Sequence, residues 1–221
     1  MIIAVDGPAG AGKSTVAKLL AKKLGFLYID TGAMYRALTL KAIETNTDVF
    51  DIPAMALLAN NTDIELVNDK EAAALKVFLD GKDVSREIRE PRITKIVSDV
   101  AKIKEVRQVM LVKQRRCGKE KDSVLDGRDI GTVVFPDADI KFFVDAKFDE
   151  RAMRRYKELI GNGQKITLDD VKADLANRDR IDSTREVAPL KKADDAVYVD
   201  TTNMTIEQVV DKLVEDVSKI K

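Results

Sequence analysis

An α/β fold built on a parallel sheet is predicted by three observations. Short apolar runs alternate with helical segments along the 221 residues, and the first run leads directly into a glycine-rich turn and a helix. Apolar residues make up 45% of the chain, enough to bury a sizeable core in one large domain.

The first run, Ile2 to Val5, is continuously apolar and suits a strand covered on both faces. Residues 13–24 carry Val16, Leu20 and Leu24 on one stripe, and Gly25 supplies the stop signal of that helix. Phe26 to Ile29 reads as a second strand and Ala33 to about Glu44 as a second helix. Val124 to Asp126, Ile140 to Val144 and Ala196 to Asp200 are further parallel-strand candidates, each between helical segments. The last helix opens with a capping box, Thr205 with Gln208, and places Ile206, Val209, Val210, Leu213, Val214 and Val217 on one face. Two stretches break the alternation. In 62–88, Ile64 to Val67 and Leu75 to Leu79 read as strands, and Asp80-Gly81 as a hairpin turn before Lys82-Asp83-Val84. Residues 149–187 are charged and helical, with Thr167 and Asp170 as a capping pair.

Composition narrows the chemistry. Lys+Arg and Asp+Glu are both 38, a balance that argues against a general nucleic-acid binder, which needs a basic surplus to displace counterions. Cys117 is the only cysteine, so an intrachain disulfide is excluded and a reducing compartment is expected. Met1 to Asp6 is too short for a signal peptide and no stretch has membrane length, so the expectation is a cytoplasmic, monomeric protein with no membrane partner. There is no histidine, which rules out a His base, a His metal ligand and a Ser-His-Asp triad. Chemistry done by positioning, with Lys, Arg, Asp and metal ions, remains open, and phosphoryl transfer is the outstanding case.

Gly7-Pro8-Ala9-Gly10-Ala11-Gly12-Lys13-Ser14 matches G-x-x-x-x-G-K-[ST] in full and sits between an apolar strand and a helix, the context the pattern needs. Gly7 to Thr15 therefore read as a loop whose N–H groups cradle the phosphates of ATP, helped by the positive end of the helix. Lys13 would reach the β/γ-phosphates and the Ser14 hydroxyl would ligate Mg²⁺. A guanine-reading N-K-x-D is absent. Asp126, at the end of a candidate strand, is open to two readings: a turn cap, or a carboxylate that orients Mg²⁺-bound water.

Three polar clusters lie beyond that loop: Asp30-Thr31-Gly32-Ala33-Met34-Tyr35-Arg36, Asp126-Gly127-Arg128-Asp129-Ile130-Gly131-Thr132, and Arg178 to Arg185 leading into Pro189-Leu190. The first two should lie beyond the carboxyl ends of strands, where α/β sheets bind ligands, and arginines there can grip a second phosphate. Together with the phosphate loop, the segments D-T-G-A-M-Y-R, D-G-R-D-I-G-T-V-V-F-P, R-D-R-I-D-S and V-A-P-L resemble the bacterial cytidylate (CMP/dCMP) kinases over essentially the whole chain. The resemblance implies a nucleoside-monophosphate kinase fold, five parallel strands in the order 2-3-1-4-5. It also implies a core of about 1–61, 89–148 and 188–221, an antiparallel acceptor-binding insertion at about 62–88 and a helical lid at about 149–187. The implied reaction moves the γ-phosphoryl group of ATP to CMP or dCMP with Mg²⁺, with Lys13, Arg128 and Asp126 as catalytic groups. Arg36, Arg128 and Arg185 would hold the acceptor's phosphate, and Ser98, Arg107 and Asp129 would read cytosine. Asp182 with Arg178 would hold the ribose, and Tyr35, Gly32 and Thr31 would shape the pocket. Thr31 stands where many members have serine, which keeps the hydroxyl, and Ile181 where some carry another arginine. Cytosine offers an amino donor and two acceptors, which a carboxylate or hydroxyl and an arginine match. Blander alternatives stand beside these roles: Ser98 and Arg107 as solvated helix residues, and Asp182 with Arg185 as a local lid ion pair. Arg151, Arg154 and Arg155 lie on a charged helix that is either a solvated face or a donor-phosphate contact.

Overall fold

The computed structural model describes residues 1–69 and 74–220. Residues 70–73 of the expected insertion, and residue 221, lie outside the described residues. In chain order the elements begin β1 (Ile2–Asp6), α1 (Lys13–Leu24), β2 (Leu27–Asp30), α2 (Thr31–Glu44) and α3 (Ile52–Asn61). A small sheet of β3 (Ile64–Asp69), β4 (Ala74–Leu79) and β5 (Lys82–Asp83) follows, then α4 (Pro91–Lys102) and α5 (Lys104–Lys119). The chain closes with β6 (Ser123–Asp126), β7 (Ile140–Asp145), α6 (Phe148–Gly161), α7 (Leu168–Thr184), β8 (Val197–Asp200) and α8 (Ile206–Ser218).

The main sheet runs β2-β6-β1-β7-β8, all parallel. The expected order, 2-3-1-4-5, counted the parallel strands alone, and the labels here differ from it because β3, β4 and β5 form a second sheet. Burial explains why β1 is central. Its Ile3, Ala4 and Val5 are fully buried, and the strand meets apolar side chains on both faces. On one face Val16 and Leu20 of α1 and Val209, Val210, Leu213 and Val217 of α8 close the core. On the other lie Ile29, Leu125, Ile130 and Phe135. A further core joins Met34 and Leu38 of α2 to Ile93, Val97, Met110 and the insertion's Val77 and Leu79.

Local signals set most boundaries. Gly25 adopts φ 72° and donates its N–H to Ala21 and Lys22, closing α1. α2 starts two residues earlier than the expected Ala33 because the Asp30 carboxylate accepts the Ala33 N–H and so caps the helix. Both expected capping boxes form, Thr167 with Asp170 and Thr205 with Gln208. Asp80 and Gly81 take the left-handed conformation in the β4–β5 turn, as a two-residue hairpin requires. α3 was not anticipated: only Met55 and Ala59 of its ten residues are buried, too narrow a stripe to read as a periodic face. Among the described residues no helix is long and apolar enough to cross a membrane.

Leu213 is fully buried between α8 and the sheet. Leu213→Ala should lower unfolding free energy by about 2–5 kcal/mol in urea titration, the usual cost of a buried leucine plus its cavity.

Candidate active site

The phosphate loop turns on three glycines. Gly7, Gly10 and Gly12 have φ of 147°, 75° and 87°, and a Cβ on Gly7 would stand 2.0 Å from the Val144 carbonyl oxygen. The loop can therefore take this path only with glycine there. No side chain among the described residues caps the start of α1, and its first turn holds no acidic residue. Its free N–H groups face the loop, an arrangement suited to an anion. Lys13 is buried, and its Nζ arches back to donate to the Pro8 carbonyl at 2.6 Å. Burial first, then Arg128, pushes the Lys13 amine well below its ordinary range.

Asp126 ends β6 beside this loop. Its carboxylate accepts from the Ser14 hydroxyl at 2.7 Å and from the Tyr28 hydroxyl at 2.8 Å, and the Thr31 hydroxyl donates to its backbone carbonyl at 2.7 Å. Burial, then the neighbouring Asp30, raises Asp126 to about 7. A hydroxyl and a buried carboxylate are the sparse oxygen set that Mg²⁺ takes from protein when phosphates and waters complete its shell, so these residues fit the ion. Among the described residues no group of three His, Cys, Asp or Glu makes a protein-only cage. Tyr28 was missing from the sequence candidates. The available signal was a tyrosine in a buried strand, whose hydroxyl must find a partner.

Next to Lys13 the cations crowd. Arg36 donates to the Thr94 hydroxyl at 2.8 Å and to the Ile88 carbonyl at 3.3 Å, and burial lowers it to about 10. Burial, then Arg128 and Arg36, lowers Arg178 to about 9. Its buried Nε has no hydrogen-bond partner among the described residues. Arg128 donates from Nε to Asp182 at 2.8 Å. Burial pushes Asp182 up, but Arg128, Arg178 and Arg185 outweigh it and hold the carboxyl below its ordinary value. Cations that raise one another's cost and leave a donor unmade are a site for an anion.

A second group surrounds Asp129. Its carboxylate accepts from Arg107 Nη2 at 2.5 Å and from Arg185 Nη2 at 3.3 Å. Arg107 lies over the Tyr35 ring, 5.6 Å from its centroid, and its buried Nε has no hydrogen-bond partner among the described residues. Burial raises the Tyr35 hydroxyl to about 12. Arg185 was expected with Arg36 and Arg128, yet its contacts are Asp129, Asp182 at 3.8 Å and the Ala188 carbonyl at 2.6 Å. Asp182 is also the partner of Arg128, so Arg185 stands beside that cation as well as beside Asp129. Ser98 is half-buried on α4, and no hydrogen bond among the described residues brings its hydroxyl to Asp129 or Arg107. Gly32 and Thr31 lie in the first turn of α2, where Thr31 is buried.

The helical segment 149–187 is docked against the phosphate loop. Arg151 is buried and donates to the Ala9 carbonyl at 3.0 Å and to Asp179 at 2.6 Å, while the Ala9 N–H donates to the other Asp179 oxygen at 3.3 Å. Arg154 binds Thr201, through its hydroxyl at 2.9 Å and its carbonyl at 2.6 Å, and Arg155 pairs with Glu158 at 2.8 Å. Arg151 and Arg154 thus belong to the scaffold and are not a solvated face. Asp179 was passed over because its partners lie 28 and 170 residues away in the chain.

Asp182 is the carboxylate through which α7 meets Arg128. Asp182→Ala should leave Arg128 and Arg185 without the carboxylate they share, at a cost of about 3 kcal/mol. Amide exchange in Leu168–Thr184 should then accelerate while β1 stays protected; unchanged exchange would mean that other contacts hold α7.

Comparison with known proteins agrees with this geometry. The Cytidylate kinase family model matches residues 3–219. A cytidylate kinase of Clostridioides difficile (strain 630) is 50% identical over 218 residues, covering 99% of this chain and 98% of the relative. One from Bacillus subtilis (strain 168) is 47% identical, covering 98% and 96%. A solved protein from Eubacterium ventriosum ATCC 27560, described as uncharacterized, shares the fold with a TM-score of 0.52 at 13% identity, covering 99% of this chain and 98% of that one. With the family's model matched from residue 3 to residue 219, the chain belongs to the cytidylate kinase family.

Proposed function

We propose that the protein transfers the γ-phosphoryl group of ATP to CMP or dCMP, giving ADP and CDP or dCDP. The observation that carries this reading is the cluster of Lys13, Arg36, Arg128 and Arg178 beside an uncapped helix start, with the Arg178 Nε unpartnered among the described residues. Two polyanions brought together need such a surplus of buried donors. The relatives named cytidylate kinase support the choice of acceptor.

The phosphate loop holds the ATP phosphates, and Lys13 leaves the Pro8 carbonyl to meet them. Ser14 would hold Mg²⁺, with Asp126 orienting water bound to it, and the ion would neutralise phosphate charge when bound. Arg36 and Arg128 orient the acceptor's phosphate, which is already an anion and attacks in line without a dedicated base. Arg107 and Asp129 read cytosine with Ser98 nearby, Asp182 and Arg178 face the ribose, and Tyr35, Gly32 and Thr31 line the pocket. Arg185 closes the acceptor side through Asp129. Residues 149–187 form the lid and 62–88 the acceptor-side insertion, and closure of the lid keeps water from the ATP. The deciding assay follows ADP release with a panel of monophosphates: CMP and dCMP should be preferred, and equal use of AMP or GMP would sink the reading.

Lys13→Ala should lower kcat at least about a hundredfold, the scale for losing one preorganised charge, with circular dichroism unchanged. Near-normal turnover in the folded variant would remove Lys13 from the donor site. Asp129→Asn should narrow the preference for CMP over UMP, because an amide can donate to uracil O4 where a carboxylate cannot. The loss of a charge-assisted bond is worth about 1.5–3 kcal/mol in the ratio of kcat/KM values. A wild-type ratio would show that Asp129 does not read the base.

A further inference from the structure

Asp6 ends β1 and immediately precedes the first glycine of the phosphate loop, yet its carboxylate serves the opposite side of the cleft. One oxygen accepts the Ile130 N–H at 2.8 Å and the other the Gly131 N–H at 2.7 Å, both in buried surroundings. These donors open the short helical segment Ile130–Val134, which starts at Asp129. The Asp129 carbonyl itself accepts from Val133 and Val134 at 2.9 and 3.1 Å, so Asp129 and Asp6 between them tie down the segment's first turn. Gly131 makes the approach feasible, since a Cβ there would stand 3.0 Å from Lys141 Cδ and 3.4 Å from Asp6 Oδ2.

We propose that Asp6 is a positioning residue for acceptor-base selectivity. It holds the segment that begins at Asp129 in register with the phosphate loop, through Ile130 and Gly131. The inference rests on the CMP reading above, and its role differs from that of Asp129, which faces the base. An ordinary loop anchor would lower stability alone; this one sets the direction of Asp129 against Arg107.

The charged groups that face Asp6 are Asp129 on the loop, Lys13 on α1 and the stem of Lys141 on β7. Burial raises its carboxyl from 3.8 to about 6, against the two backbone hydrogen bonds and with a smaller push from Asp129. The folded value lies above the unfolded one, so protonation favours the folded chain as pH falls from about 6 towards 3.8. The same protonation turns one acceptor oxygen into a hydroxyl and loosens the hold on the segment. Stability and positioning therefore move in opposite directions on acidification.

The test is Asp6→Asn, which keeps the shape but turns one donor towards a backbone N–H. KM for CMP should rise about tenfold and the CMP-to-UMP ratio of kcat/KM should fall by a similar factor, while KM for ATP changes by less than about twofold. In the wild type the same ratio should fall between neutral pH and about pH 5, and the variant should lack that fall. The two acceptors carry the same phosphate, so its own titration cancels in the ratio. If the variant does not fold, the wild type decides: the Ile130 and Gly131 amide signals should titrate together near pH 6, in step with the loss of selectivity. Selectivity that is constant across this range, or a variant whose KM for ATP rises as much as that for CMP, overturns the proposal. A wild type that does not prefer CMP at neutral pH refutes the functional reading instead.

Discussion

Lys13, Arg36, Arg128 and Arg178 form a chain of mutually repelling cations in partly buried surroundings, and much of the remaining architecture answers to that crowding. Like charges in a low dielectric repel strongly, so each cation needs a carboxylate, a carbonyl or a bound anion. Lys13 turns to the Pro8 carbonyl, Arg36 to Thr94 and Ile88, and Arg128 to Asp182. Among the described residues, the buried Nε of Arg178 has no hydrogen-bond partner. The partners that α7 supplies, Asp179 and Asp182, are what bring that helix down on the phosphate loop and on Arg128. The same crowded cations thus hold α7 in place through its carboxylates.

The parallel sheet places these groups side by side. Every strand of the main sheet ends on an aspartate: Asp6, Asp30, Asp126, Asp145 and Asp200. Register sets Asp30 level with Asp126, and Val5 beside Asp126, so the loops after β2, β6 and β1 emerge from one rim. The aspartates do different work there. Asp30 caps α2, Asp126 takes Ser14 and Tyr28, and Asp6 takes the backbone of the segment after Asp129. Binding beyond the carboxyl ends of parallel strands is the general rule for such sheets, and the shared residue type shows how one rim can anchor helices and still hold polar ligands.

Much of this was legible because it is encoded over a few residues. The phosphate loop, the Gly25 stop, the two capping boxes and the Asp80-Gly81 turn each depend on conformations that neighbouring residues select. α3 escaped because two buried positions make no periodic pattern. That Arg185 pairs with Asp129 and Asp182 could not be read from its motif, because Asp129 lies 56 positions away. The arginines of α6 were ambiguous for a related reason: on a charged helix, only packing tells a buried Arg151 from a partly exposed Arg155.

By itself the sequence determined the alternation of strands and helices, the glycine turn that exposes an anion-binding helix start, and the stock of arginines and aspartates from which a phosphate site is built. Those properties follow from side-chain periodicity and backbone preference, which act within a few residues. Only the tertiary structure decided which cation meets which carboxylate. Tyr28 reaches Asp126 across 98 positions, Asp182 reaches Arg128 across 54, and Asp6 reaches Ile130 across 124. Such pairings depend on strand register and on which helix covers the cleft, and in a water-poor site the partner sets the charge state as much as the residue does.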